Sequence, residues 1–483
     1  MSDTEKFENL INSISQKADY WINEKKSSAN ETTVGEMIPD FLKLLGFNQE
    51  NVYSQYDCAV GEKIDYAVRI DSNNASTEFC LTPNEPDIII KAKRTNVDFS
   101  DKSKKGYFNT VEQLQDYLRK VNCKSVTYGI IFNGIQVQVF RKHGKLSYPI
   151  TSVLLLDKDN IRSTISFLKG ELKHRDETRG SIITVWNNKG GVGKTTIAQS
   201  LGILLSEKEI YGSDTKNKVL IIDYDHNQGD LTENCGFEPS AGETKRLIED
   251  DILGKLNKKN FQSNISKIVK EFSNNLAKRK PRFQFKIDIL RSDSELNRLG
   301  IKYKEELITP KHPFPLRDLS LKFSEIYDYV IIDAPPNYEQ SIFSKEAIIA
   351  ADCILPIALY VNRNSIRNYA NFVINDITEA QEKRGDGGPY SMGLWFNRWK
   401  SAWTDRQTKN CVKKQLNEAD FYYHQAELKR IFYKTYLRQN LLRIIPECAD
   451  IARSIMDSKG LPGVVRFIRA RSALSSLLKE FID

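Results

Sequence analysis

Residues 186–200 read WNNKGGVGKTTIAQS, and this short run holds Gly190, Gly191, Gly193, Lys194, Thr195 and Thr196 together with a further lysine, Lys189. Closely spaced glycines let a backbone curl with its N–H groups pointing inward, which side chains would obstruct. A helix that starts directly afterwards adds its positive end. In a phosphate loop of this kind Lys194 bridges the β- and γ-phosphate oxygens of a nucleotide, and the Thr195 hydroxyl is a ligand for Mg²⁺. That chemistry needs one lysine. Lys189, five residues upstream, is a second.

Carboxylates follow at the ends of two other apolar runs. VLIIDYDHNQGDLT carries Asp223 and Asp225, and YDYVIIDAPPN carries Asp333. A spacing of two puts Asp223 and Asp225 on one face of a chain that stays extended. Asp333 stands where a strand-end aspartate holds the water shell of Mg²⁺. A single aspartate at a strand end more often forms a turn or caps a helix. Three beside a phosphate loop favour ligation.

The elements that must position these groups alternate along the chain. SIITVW, KVLIID, KIDIL, YDYVIID, CILPIAL and MGLWFN are near-continuously apolar, as parallel strands covered on both faces are, and helical stretches separate them. The pattern predicts a doubly wound α/β domain with a mostly parallel sheet, whose ligands sit at the carboxyl ends of the strands. At 483 residues the chain is too long for one ordinary core. A charged stretch without apolar periodicity, KGELKHRDETRG, marks a boundary. We expect a first α/β domain at 1–172, a linker at 173–180, and the phosphate-loop domain at 181–483, with helical insertions near 240–283 and 400–440. The seven cysteines are scattered without a C-x-x-C pair and read as reduced thiols. No apolar run approaches the ~20 residues of a membrane span. The polar start MSDTEKFENLINS is unlike a secretory signal, so a cytoplasmic location is expected.

The run K-G-G-V-G-K-T-T resembles the deviant Walker A motif of the ParA/MinD family of ATPases, and IDILRSDSELNRLG, DAPPN, AIIAADCILPIAL and IPECADIARSIMDSKGLPG are similar to partition-type ParA proteins. The resemblance covers most of 180–483. It implies a homodimer with ATP and Mg²⁺ sandwiched between subunits, with Lys189 reaching the nucleotide of the facing subunit. It also implies that Asp225 orients the attacking water, that Asp223 supports the metal side and that Asn397 reads adenine. ParA proteins usually have D-x-D-P-Q-G after the second strand. This chain has Asp223-Tyr-Asp-His-Asn-Gln-Gly229, one residue longer and without proline. The cysteines stand in the wrong contexts for a nitrogenase-type shared cluster. The end, SALSSLLKEFID, lacks the basic amphipathic membrane helix of MinD-type proteins. The basic, aromatic run from Arg398 through Lys400, Lys413 and Lys414 to Lys429, Arg430 and Lys434 is the candidate DNA interface, and its alternative is a solvated helix face.

The first domain resembles the N-terminal nuclease domain of type I restriction motor subunits, a PD-(D/E)xK fold. That family places a glutamate on the first helix, an aspartate in a strand and then E-x-K. The matching positions are Glu31, Asp65 and Lys91-Ala-Lys93, with a lysine where the third acid belongs. A lysine there would repel the metal and could pair with Asp65, which implies a nuclease-dead domain. Two roles are expected. One is an ATP-driven, nucleoid-associated, DNA-binding switch for plasmid or chromosome partition or cargo positioning, stimulated by a protein partner. The other is an anti-phage defence or mobile-element protein whose first domain is an effector or docking module.

Overall fold

A computed structural model describes residues 2–24, 28–70, 79, 81, 83–100, 105–172, 179–208, 215–273, 285–299, 302–338, 340–359, 368–369, 372–399, 444–446, 478 and 481. The chain forms two compact units. One comprises Met1–Thr178 with Gly385–Gly388, and the other Arg179–Arg384 with Pro389–Asp483. Six residues of the expected linker, 173–178, lie outside the described residues.

The first unit opens with α1 (Asp3–Asn23), started by a reciprocal cap in which the Glu5 N–H donates to Ser2 Oγ at 3.2 Å. Short α2 (Glu31–Gly35) is capped by Asn30, and α3 (Ile38–Leu45) stops at Gly46, whose φ of +100° suits glycine. The seven strands are β1 (Val52–Ala59), β2 (Glu62–Val68), β3 (Ile88–Ala92), β4 (Tyr128–Phe132), β5 (Gln136–His143), β6 (Leu146–Pro149) and β7 (Leu154–Leu155). They form one sheet in the order β1-β2-β3-β4-β5-β6, with β7 on β5. Only β3 and β4 pair parallel. The α4 helix (Lys105–Leu118) joins them, as a parallel crossover requires. α5 (Ile161–Glu171) closes the unit. Side-chain alternation in β3 divides the core. Ile88 and Ile90 join α1, α3 and α5 on one face, and Ile89 joins α4 on the other. Glu31 therefore lies on the second helix. α1, an amphipathic helix, precedes it in the polar stretch that opens the sequence.

The second unit holds β8 (Ser181–Trp186), β9 (Val219–Asp223), β10 (Lys270–Ser273), β11 (Lys286–Leu290), β12 (Tyr329–Asp333), β13 (Cys353–Leu359), β14 (Tyr390–Ser391), β15 (Trp395–Trp399) and β16 (Ile444–Pro446). Their order is β10-β11-β9-β12-β8-β13-β15-β16, with β14 on β13. Every pairing is parallel except the edge hairpin of β10 with β11. The helices α6 (Lys194–Ser206), α7 (Asp230–Asn234), α8 (Glu243–Ile252), α9 (Lys258–Ile268), α10 (Ser294–Leu299), α11 (Tyr303–Leu307), α12 (Pro315–Ser324) and α13 (Ile342–Ala350) cover it. α6 lies tight on the sheet: a Cβ at Gly202 would stand 2.6 Å from Ile221 Cδ1. Below the sheet Asp352 accepts from Arg179 at 2.6 and 2.7 Å and from Arg317 at 2.8 Å. Against the burial that raises its pKa, these two guanidinium groups hold that carboxyl well below the usual range. Among the described residues no helix is long and apolar enough to cross a membrane.

Candidate nucleotide-binding site

β8 runs straight into the glycine loop, and Gly193 is the N-cap of α6. Gly191 and Gly193 have φ of +72° and +95°, which a residue with a Cβ adopts only under strain. A Cβ at Gly190 or Gly191 would meet nothing within 4 Å, so the space beside both glycines is open. A Cβ at Gly193 would stand 2.4 Å from Asn397 Nδ2. That amide donates to the Val192 carbonyl at 2.9 Å. Asn397, buried on β15, thus bears on the loop backbone itself. Its nitrogen is engaged by the protein at the position where the resemblance has it reading a base.

Lys194 is buried at the helix start. Burial lowers its pKa, with Asp333, Asp225 and Asp230 opposing. Thr195 and Thr196 follow on the first turn, half-buried. Lys189 is half-buried and makes no ion pair among the described residues. Its backbone N–H donates to Asn187 Oδ1 at 2.8 Å. Among the described residues the second lysine is therefore not taken up by an ion pair.

Asp223 and Asp333 are register partners at the carboxyl ends of adjacent parallel strands. Among the described residues neither oxygen of Asp333 has a partner in hydrogen-bond geometry, nor does Asp223 Oδ1, although all three are buried. Burial, then Asp223, raise the Asp333 pKa to about 8, with the nearby Thr195 hydroxyl and Lys194 opposing. Burial raises Asp223 to about 7, opposed by Thr232. Two buried carboxyls side by side with orphaned oxygens are the donor set a divalent cation satisfies. The residues present therefore fit Mg²⁺, with Thr195 as the third oxygen.

Sequence reasoning missed what holds Asp223. Thr232, at the start of α7, donates through its N–H and hydroxyl to Oδ2 at 2.8 and 2.6 Å. The only signal was the polar G-D-L-T after the aspartates. The strand assignment stops at Asp223, the Tyr224 N–H still donates to the Asp333 carbonyl at 3.1 Å, and the chain turns after Asp225. β9 ends at Asp223, and the N–H groups of Gln228 and Gly229 turn back to the Asp225 carbonyl at 3.2 and 2.8 Å. The departure from D-x-D-P-Q-G also finds its reason. His226 is turned into the core, where its Nδ1 accepts from the Asp293 N–H at 3.1 Å and its ring lies against Tyr224 and Phe343. Burial lowers its pKa to about 4, so it stays neutral. Asp293, in turn, accepts from the N–H groups of Gly242, Thr244, Lys245 and Glu295 and so ties α8 to α10. Burial raises the pKa of Asp225, which the Gln228 N–H and Lys194 oppose.

In the first unit, Glu31, Asp65, Lys91 and Lys93 meet although they come from α2, β2 and the end of β3. Lys91 Nζ lies 2.7 Å from Asp65 Oδ2 and 3.8 Å from Glu31, and Lys93 Nζ lies 3.2 Å from Glu31. Asp65 also accepts from the Ala92 N–H at 2.8 Å. The basic stretch fares differently. Lys400, Lys413, Lys414, Lys429, Arg430 and Lys434 lie outside the described residues, as does the side chain of Arg398.

Strand, glycine loop, helix and paired strand-end aspartates in one parallel sheet define a P-loop nucleotide hydrolase fold. A family model described as an AAA domain matches residues 180–384. An uncharacterized protein of Methanocaldococcus jannaschii is 30% identical over 223 residues, 45% of this chain and 73% of that protein. The chromosome partitioning protein ParA of Caulobacter vibrioides is 28% identical over 177 residues, 36% of this chain and 54% of that ParA, so the chain spans about half of that relative. Among solved structures, an ATP complex of Cyanothece McdA is 22% identical with a TM-score of 0.40, covering 62% of this chain and 97% of that one. The pNOB8 ParA bound to nonspecific DNA is 21% identical with a TM-score of 0.37, covering 62% and 97%. The chain belongs to the ParA-type P-loop ATPases.

Proposed function

We propose that this protein is an ATP-dependent dimerising switch that binds DNA non-specifically and hydrolyses ATP to position a replicon or another cargo. The reading rests on one observation: an ordinary phosphate-loop lysine, Lys194, lies among Asp225 and Asp333 while Lys189 makes no ion pair among the described residues. Bound Mg²⁺ supplies charge neutralisation at the phosphates. Within a subunit the loop N–H groups and Lys194 hold the phosphates. Thr195, Asp223 and Asp333 hold the metal side, and Asp225 orients the attacking water. Lys189 serves the nucleotide of the second subunit, so each site is complete only in the dimer. The ParA bound to nonspecific DNA supports the DNA partner, and the basic run from Arg398 to Lys434 is the surface we assign to it. A partner protein triggers turnover. The first unit acts as a nuclease-silent docking module, since the ammonium of Lys91 already neutralises Asp65.

Sizing the full chain with ATP, ADP and no nucleotide tests the core of this reading. The expected result is a dimer with ATP alone for the wild type and a monomer throughout for Lys189→Ala. A wild type that stays monomeric in every condition removes the sandwich mechanism.

A further inference from the structure

The two residues that flank Asp225 both bury their rings. Tyr224 is fully buried and His226 is 6% exposed, and their rings meet edge to face with centroids 4.7 Å apart. Phe343 of α13 closes on both, 5.6 Å from Tyr224 and 4.9 Å from His226. Tyr303 of α11 completes the cluster, its hydroxyl 3.0 Å from that of Tyr224 and its ring 5.4 Å from Phe343. Edge-to-face contacts of this kind favour one relative orientation of the rings. Side chains two apart in an extended stretch share a face, so seating both rings in the core sends the Asp225 carboxylate to the other side. There it lies within electrostatic reach of Lys194 and accepts from the Gln228 N–H at 3.3 Å.

One bond sets this arrangement apart from simple packing. His226 Nδ1 accepts from the Asp293 N–H at 3.1 Å. That donor is itself fixed. The buried Asp293 carboxylate accepts from the N–H groups of Gly242, Thr244 and Lys245 at the start of α8 and of Glu295 at the start of α10, at distances between 2.8 and 3.0 Å. The neighbouring Ser292 holds the far end of the same stretch. Its N–H donates to Thr232 Oγ1 at 2.9 Å, and its Oγ stands 2.8 Å from where a Cβ at Gly229 would lie. Residues 292–293 thus grip the stretch from Asp225 to Thr232 at both ends. His226 also stands where D-x-D-P-Q-G has its proline. A proline stiffens the backbone by fixing φ. Here a side-chain hydrogen bond restrains the chain at that position instead.

We infer that His226 is a positioning residue for Asp225: its hydrogen bond to Asp293, made from within the ring cluster, sets where the Asp225 carboxylate stands. The inference rests on the reading that Asp225 orients the attacking water. Steady-state ATP turnover by the full chain, beside equilibrium binding of a slowly hydrolysed fluorescent ATP analogue, tests it. His226→Leu fills much of the same space and offers no acceptor. It is expected to lower kcat at least tenfold while analogue affinity stays within twofold of wild type. His226→Asn also lacks the ring, but its carboxamide oxygen can accept about where Nδ1 does. In that variant kcat is expected to return to within threefold of wild type. Phe343→Leu trims the ring that His226 leans on, from outside the stretch itself, and is expected to lower kcat at least threefold at unchanged affinity. Undiminished kcat in His226→Leu would overturn the proposal. So would equal kcat losses in His226→Leu and His226→Asn, or a loss of kcat matched by an equal loss of affinity, since either assigns the effect to general packing. If neither His226 variant folds, Phe343→Leu decides, and full kcat there overturns the proposal. Asp225→Asn keeps the two readings apart. Wild-type turnover in that variant removes the role of Asp225 and the inference with it. An inactive Asp225→Asn beside a fully active His226→Leu removes the inference alone.

Discussion

At the scale of single residues, what matters is whether a charged group has company. Lys91 and Asp65 are 2.7 Å apart in the first unit, so that carboxylate is already paired with an ammonium and is a poor metal ligand. Supercoiled DNA incubated with the protein and Mg²⁺ or Mn²⁺ is expected to stay intact. Nicking that disappears in Asp65→Ala would reverse this reading. Glu346 is the opposite case, fully buried on α13 with the Leu316 N–H beside one oxygen at 3.4 Å and no ion pair among the described residues. Burial raises its pKa from 4.5 to about 8, with the Leu316 N–H opposing. The raised value means that the native state keeps a proton the unfolded chain releases above pH ~4.5. Native stability thus falls as pH rises from 4.5 to 8. Glu346→Gln carries no such proton and is expected to be more stable than wild type by on the order of 3 kcal/mol at pH 8, with the gap closing near pH 4.5. Urea midpoints across that range measure it, and parallel pH profiles would show that the carboxyl ionises freely.

At the scale of elements, the strand–loop–helix junction separates two jobs of glycine. Gly193 is needed by the fold itself, since its φ is +95° and Asn397 fills the space of a Cβ. At Gly190 a Cβ would meet nothing, so the fold leaves that position open, and under the proposed function a Cβ there crowds a bound phosphate. Gly193→Ala is expected to lower both thermal stability and ATP affinity. Its backbone strain alone costs roughly 1–2 kcal/mol. Gly190→Ala is expected to melt with the wild type and to bind ATP at least tenfold more weakly. An unchanged affinity in Gly190→Ala would mean that phosphates do not sit in the loop's open side. The junction was legible in the sequence because SIITVW, the glycines and a following helical run stand in chain order. The turn after Asp223 was not. Its path depends on Asp293, sixty-seven positions from His226, whose N–H the imidazole accepts.

At the scale of the whole molecule, the two units join a nucleotide domain to a domain with a self-neutralised acidic site. The proposed DNA binding is tested on the entire chain. Affinity for a random duplex is expected to be high with ATP and weak with ADP or no nucleotide. In the ATP state its logarithm should fall linearly with log salt. Lys413→Ala/Lys414→Ala should reduce that slope by about 2, close to one counterion per lost phosphate contact. Equal affinity in all nucleotide states would remove the switch, and an unchanged slope would move the interface away from these lysines.

The sequence by itself determined the alternation of apolar runs, and with it a parallel sheet flanked by helices. It also determined the loop with its extra lysine, because those signals are local: they live in spacing, glycine placement and strand-length hydrophobicity. Only the tertiary structure decided which distant groups meet. Strand order made Asp223 and Asp333 neighbours although 110 residues separate them. Side-chain alternation on β2 and β3 turned Lys91 onto Asp65. A buried hydrogen bond to Asp293 drew His226 inward and reshaped the segment that follows Asp225. Such contacts are paid for by burial across the whole core, and no window of the chain contains that information.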